Sequence, residues 1–178
     1  MKPSAKTLIE HFPGLVARLR GGDAATFTAA LEVREVATGD VLVREGEKSG
    51  TLYLLCDGEA LVTISVASST RELGRVGPGA MLGELSFLDG DATTAKITAA
   101  TPLTLFALSR AKFNELLTTK PAIASALLHG ISETLAPRVR FATERVQALG
   151  AVPTTTATPA AAPTILDSVR RLFGIGKA

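Results

Sequence analysis

Residues Leu82 to Ile97, LGELSFLDGDATTAKI, carry the residue types in this sequence best suited to holding a small ligand. The stretch opens like a loop that wraps backbone around an anion. Gly83 has no Cβ to block a close approach, Glu84 follows, and Leu85 to Leu88 make a short apolar turn. A loop that holds a phosphate this way usually ends in a cation. Here that end reads Ala92-Thr93-Thr94-Ala95, with no arginine. The two threonines offer neutral hydroxyl donors, which are weaker than a bidentate guanidinium. Lys96 lies three residues beyond Thr93, and on a regular strand it points away from the face of Thr93.

Other chemistry is thin. His11 and His129 stand in different helical regions, with no second ligand at metal spacing. Cys56 alternates with Leu52 and Leu54 and reads as a small buried hydrophobe rather than a nucleophile. GRVGPG has no strand-helix-strand unit around it, so it is not a dinucleotide fingerprint. No nucleophile elbow, Walker loop or paired catalytic carboxylate appears, so a non-enzymatic protein is expected.

Composition narrows the class further. Hydrophobic residues are 46% and charged residues 20% of 178, a globular balance. The net charge of +2 gives no reason to expect nucleic acid as a partner. No tryptophan and one tyrosine leave no aromatic platform for single strands. One cysteine fits a reducing compartment. The N-terminus lacks a signal-peptide apolar core, and no run approaches the length of a membrane span. A cytoplasmic setting is expected.

The elements that must position the stretch follow from periodicity. Residues 4–20 are helical, with Ser4 as N-cap and Pro13-Gly14 as an interruption, and a second helix starts near Asp23 as cap. From Val33 the period changes. Short β-rich runs are broken by Gly39-Asp40, Glu45-Gly46, Gly50 and Asp57-Gly58, which predicts an antiparallel sandwich or barrel. Thr101-Pro102 turns a last strand pair. RAKFNELLTTKP returns to helix, and Pro121 starts a longer helix to about Leu149. Within it Leu128, Leu135, Val139, Ala142, Val146 and Leu149 follow steps of four and three, apart from Ser132. That spacing is the seam of a helix meeting a partner helix, or of one packed on its own barrel. Pro137 should bend or restart the helix.

Residues 150–164 are an Ala/Thr/Pro linker. Beyond it Ile165, Leu166, Val169, Leu172 and Phe173 share one helical face, opposite Asp167, Ser168, Arg170 and Arg171. A short amphipathic piece on a tether suits docking to a protein, its own chain included. Three cations and one aromatic make membrane binding marginal.

Two helices, a Gly-punctuated barrel containing TGDVLVREGEKSGTLYLLCDGEALVT and GRVGPGAMLGELSFL, then a shorter and a long helix make a recognisable order. It resembles the cyclic nucleotide-binding domain family, as in catabolite activator-type regulators and protein kinase A regulatory subunits. The likeness covers about residues 10–149. It implies an α+β fold: an antiparallel β-roll (a double-stranded β-helix or jelly-roll barrel) flanked by N-terminal helices and a long C-terminal helix. The segments are then 1–32 helical, 33–120 roll with a phosphate-binding cassette at 82–97, 121–149 long helix, 150–164 linker and 165–178 docking peptide.

The resemblance also implies roles. Gly83 would let backbone approach a sugar-phosphate ring, and Glu84 would accept from the ribose 2′-OH. The N–H groups of Leu85 and Ser86 would face a cyclic phosphate, as helix-start amides do for anions. The family's phosphate-binding arginine falls on Thr93, and the residue after it on Thr94. In the long helix Arg138 matches the arginine that holds the cassette glutamate, and Thr143 matches half of the pair that reaches the base, while Ala142 does not match. Asp89 and Asp91 add negative charge beside the anion position. Without the cation, binding weakens by roughly tenfold to several thousandfold. The expectation is a regulator or adaptor with weak or lost nucleotide binding, acting as a homodimer and through its C-terminal peptide. The alternatives are a true cyclic-nucleotide sensor using Thr93 and Thr94, or an assembly-targeting protein directed by its tail. Family transcription regulators follow the long helix with a winged helix-turn-helix. With 29 residues after Leu149, none is expected.

Overall fold

The computed structural model describes residues 3–150 of the chain, apart from the side chains of Arg145 and residues 148–150. The docking-peptide positions Ile165, Leu166, Val169, Leu172 and Phe173, and the side chain of Leu149, lie outside the described residues. The chain divides into two compact units, 1–134 and 135–178.

Three short helices open the first unit: α1 (Ala5–His11), α2 (Pro13–Val16) and α3 (Asp23–Ala29). Ser4 is the N-cap of α1, and its backbone N–H donates to the Thr7 hydroxyl at 3.1 Å. The helix stops at Phe12, because the residue before a proline is pushed out of the helical region. Gly22, not Asp23, is the N-cap of α3; Asp23 is its first residue and accepts from the Arg20 N–H at 3.3 Å. Leu8, Phe12, Leu15 and Phe27 are buried.

Eight strands follow: β1 (Glu32–Val36), β2 (Val41–Val43), β3 (Thr51–Asp57), β4 (Ala60–Val66), β5 (Ser69–Val76), β6 (Met81–Leu82), β7 (Lys96–Ala99) and β8 (Leu103–Ser109). They form two four-stranded sheets, ordered β1-β8-β3-β6 and β2-β7-β4-β5, and every pairing is antiparallel. Val43, Tyr53, Leu55, Ile97, Leu103 and Leu105 are among the side chains that fill one buried cluster of the roll. Leu52, Leu54 and Cys56 alternate with them along β3 and are buried too. A strand wet on neither face needs a near-continuous apolar run, and LYLLC supplies it.

One turn at the far end of β3 is fixed by a glycine. Gly58 has φ of +87°, and a Cβ on it would lie 2.1 Å from the Pro102 carbonyl oxygen. The Asp57-Gly58 turn and the Thr101-Pro102 turn therefore nest together, and the Thr101 hydroxyl accepts from the Glu59 N–H at 2.8 Å.

Among the described residues, two further helices follow the short α4 (Glu84–Asp89): α5 (Arg110–Thr119) and α6 (Pro121–Gly150). Ser109 caps α5 by accepting from the Lys112 N–H at 3.2 Å. Lys120, preceding a proline, breaks the two helices apart. Ile123, Ala124, Leu127 and Ile131 are buried, so the first half of α6 belongs to the core of the first unit. Arg18 on the α2 side ties to Glu133 at 2.5 Å. Pro137 was expected to bend or restart the helix; it lies inside α6, which does not restart there. No helix of the described residues is long and apolar enough to cross a membrane.

Candidate functional site

The cassette 82–97 is built around α4. Gly83 is its N-cap at φ 75° and ψ 14°, and Gly90 its C-cap at φ 78°. Both are left-handed positions that favour glycine. At Gly83 the chain itself is the reason: a Cβ there would lie 2.7 Å from the Thr51 carbonyl oxygen. The space that Gly83 leaves open is occupied by β3, so this glycine serves the fold irrespective of any ligand.

Glu84 starts α4 and is buried with its side chain engaged rather than free. Ser86 is buried as well, and its hydroxyl donates to the Gly83 carbonyl at 3.3 Å. That bond closes within the turn itself. Phe87 is buried against Phe113 of α5, with ring centroids 5.1 Å apart and planes tilted by 57°. Leu85 and Leu88, by contrast, are 41% and 38% exposed. Asp89 and Asp91 are exposed, and the Asp89 carboxylate accepts from the Asp91 N–H at 2.9 Å.

The two threonines at the cation position part company. Thr93 is buried, and its hydroxyl donates to the Arg44 carbonyl. Its N–H donates to the Glu47 carbonyl at 3.0 Å, and its carbonyl accepts from the Gly46 N–H at 2.8 Å. Thr93 is thus fastened to the β2–β3 loop by backbone and side chain together. That loop is fastened in turn: the Glu45 carboxylate accepts from the Ser65 N–H at 2.8 Å. Thr94 is exposed. Lys96 is exposed on β7, opposite Thr63 in register, while Ile97 beside it is buried. Thr93 lies outside β7, so the strand alternation that would turn Lys96 away from it does not extend that far. Arg44 extends into solvent and pairs with Glu47 at 3.7 Å.

Arg138 and Thr143 belong to the second unit. Arg138 is exposed and engaged, and the Thr143 hydroxyl donates to the Val139 carbonyl one turn back in its own helix at 2.9 Å. Of the seam positions, Leu128, Val139 and Ala142 are exposed, while Leu135 and Val146 are half-buried.

One residue that sequence reasoning missed sits against the cassette. Arg110, the first residue of α5, donates from Nη2 to the Ser86 carbonyl at 3.2 Å. It is 24 residues away along the chain, and only the β3–β8 pairing, which sets Thr51 opposite Ser109, brings it there.

Burial pushes the Cys56 thiol up to about 11, so it is not a thiolate near neutrality. No group of three or more His, Cys, Asp or Glu side chains could hold a metal among the described residues.

Known proteins share this architecture. The family profile described as the cyclic nucleotide-binding domain matches residues 33–120. A cyclic nucleotide-gated potassium channel from Mesorhizobium japonicum is 34% identical over 95 residues, which is 53% of this chain and 25% of the channel. The chain spans about a quarter of the length of the first curated relatives it matches. A cyclic nucleotide-binding domain from Methylobacillus flagellatus superposes with a TM-score of 0.72 at 21% identity, covering 86% of this chain and 89% of that one, which shows the shared fold. The N-terminal domain of a transcriptional regulator from Streptomyces coelicolor is 30% identical, with 70% of this chain and 90% of that one covered and a TM-score of 0.61. With the two-sheet roll, the Gly83-Glu84-Leu85 turn and the helices on either side in place, the chain belongs to the cyclic nucleotide-binding domain family.

Proposed function

We propose that this protein is a non-enzymatic cytoplasmic regulator or adaptor built on a cyclic nucleotide-binding domain whose nucleotide affinity is weak or lost. One observation carries the proposal: the residue at the cation position, Thr93, has no charge and has already given its hydroxyl to the Arg44 carbonyl. A charged hydrogen bond to an anion contributes about 1.5–3 kcal/mol, roughly twice a neutral one. From Thr93 not even the neutral bond is on offer without first breaking an internal one. The exposed Asp89 and Asp91 add charge of the wrong sign. Isothermal titration with cAMP, cGMP and cyclic dinucleotides tests this. Sub-micromolar binding of any of them overturns it.

Output then passes through protein contacts. Leu128, Leu135, Val139, Ala142, Val146 and Leu149 would line a homodimer seam, and residues 165–173, on the 150–164 tether, would dock a protein partner. The exposure of Leu128 and Val139 supports the seam. Sedimentation across a concentration range tests it, with a strictly monomeric chain as the refuting result. Capture of binding proteins by the full chain and by a chain lacking 150–178 tests the tail, and equal capture by both removes it from the proposal.

A second reading has one observation in its favour. The first half of the cassette keeps its order: Gly83 caps α4, and Glu84 is buried at its start. In a cyclic-nucleotide sensor of this kind the exposed Thr94 would replace the cation, with Thr93 released from Arg44. Glu84→Ala would then abolish a measurable nucleotide-induced rise in melting temperature. Under the first reading there is no such rise to abolish.

A further inference from the structure

We infer that Arg110 is a positioning residue that holds the cassette helix α4 in place without a ligand. The inference rests on the reading of weak or lost nucleotide binding, because a chain with no ligand charge to organise its cassette needs an internal one. A six-residue helix has no stability of its own. α4 is also cut off from its neighbours in sequence by the left-handed glycines Gly83 and Gly90. Its order must come from contacts made across the fold.

Towards the roll, Gly83 rests on the Thr51 carbonyl. Towards α5 there are two contacts of different character. Phe87 meets Phe113, an apolar contact that tolerates sliding. Arg110 gives the directional one, from Nη2 to the Ser86 carbonyl at 3.2 Å. Its guanidinium also lies beside Gly90, where a Cβ would be 3.6 Å from Nη2. Ser86 and Gly90 form the last turn of α4, since the Ser86 carbonyl accepts from the Gly90 N–H at 3.1 Å. A cation therefore sits at the carbonyl end of the helix, where the backbone dipoles favour it. The base of Arg110 is equally fixed, because its N–H donates to the Gly50 carbonyl at 2.9 Å.

The energetics favour a local role over a global one. The Arg110 Nε is buried and, among the described residues, has no hydrogen-bond partner. A buried donor without an acceptor costs about as much as one charged hydrogen bond contributes. Arg110 thus adds little to the stability of the whole fold. What it sets is where α4 sits relative to α5.

Amide hydrogen exchange read by mass spectrometry on the full chain tests this, comparing the native protein with Arg110→Gln and Arg110→Lys in the absence of ligand. Segment 84–92 is expected to exchange about tenfold faster in Arg110→Gln, while segments from β3 and β8 keep their native rates. Arg110→Lys, which keeps the charge but not the planar fork, should fall between. An unchanged 84–92 segment in Arg110→Gln overturns the inference. So does a general acceleration of every segment, which would make Arg110 an ordinary stabilising residue. A separate arm adds millimolar cAMP to the native chain. Protection of 84–92 there that persists when cAMP is lowered below about one micromolar refutes weak or lost nucleotide binding, whereas the ligand-free comparison alone decides the role of Arg110.

Discussion

Replacing Thr93 by arginine tests the cassette most directly, because the structure separates what the substitution keeps from what it removes. The backbone of residue 93 stays tied to Gly46 at 2.8 Å and to Glu47 at 3.0 Å, since neither bond uses the side chain. The hydroxyl bond to the Arg44 carbonyl is lost, and the longer, charged side chain must find room at a buried position. That loss costs about 0.5–1.5 kcal/mol of stability. A guanidinium on a cyclic phosphate contributes about 1.5–3 kcal/mol, and up to about 5 kcal/mol in a well-desolvated pair. At about 1.4 kcal/mol per factor of ten, cAMP affinity should rise between about tenfold and several thousandfold. The negative Asp89 and Asp91 hold the gain towards the lower end. Titration calorimetry on both proteins at one salt concentration measures it. Adding Glu84→Ala to the arginine variant should then remove most of the gained affinity. The reasoning fails if the native chain already binds cAMP below micromolar concentrations and the arginine changes that by less than about threefold.

Three further outcomes follow from particular contacts. Gly83→Ala must hold a side chain in the left-handed region, about 1–2 kcal/mol, and must move the Thr51 carbonyl from the 2.7 Å a Cβ would meet. A loss of about 2–4 kcal/mol in thermal or urea melts without ligand is expected, and an unchanged melt would mean that Gly83 serves only a ligand. Cys56 has its folded-state value raised from 9.0 to about 11, so its contribution to stability is intact below pH 9 and is lost as pH climbs towards 11. Urea melts at stepped pH should show a decline over that window that is shallower in Cys56→Ala; identical slopes would refute it. Arg18→Ala removes a 2.7 Å bond to the Gly14 carbonyl and the ion pair with Glu133. Both side chains are more than a third exposed, so a cost of no more than about 1 kcal/mol is expected in denaturant melts.

The β-roll was legible because its punctuation is local. Gly39-Asp40, Asp57-Gly58 and Thr101-Pro102 announce turns by their own backbone preferences, and each falls at the junction of two consecutive strands. Ser4 and Pro13 likewise mark the ends of α1 by local rules. What stayed hidden depends on residues far apart in sequence. Nothing near Thr93 predicts that its hydroxyl meets the Arg44 carbonyl, 49 residues away. Nothing in SRAK predicts that Arg110 lies under α4. Gly83 shows a third kind of gap: its residue type was readable, but the atom that demands it, the Thr51 carbonyl, is visible only once β3 and β6 are paired.

The nested turns at Gly58 and Pro102 have a use beyond holding the sheets together. They close one pole of β3, and the Gly50–Thr51 corner with the cassette forms the other, about 20 Å away along a seven-residue strand. Backbone atoms at the closed pole have no slack, since even a Cβ does not fit. That pole can serve as the fixed reference of a molecular ruler. A spectroscopic label on exposed Asp57, paired with one on Leu88, would report displacement of the cassette, with the distance read from the closed pole.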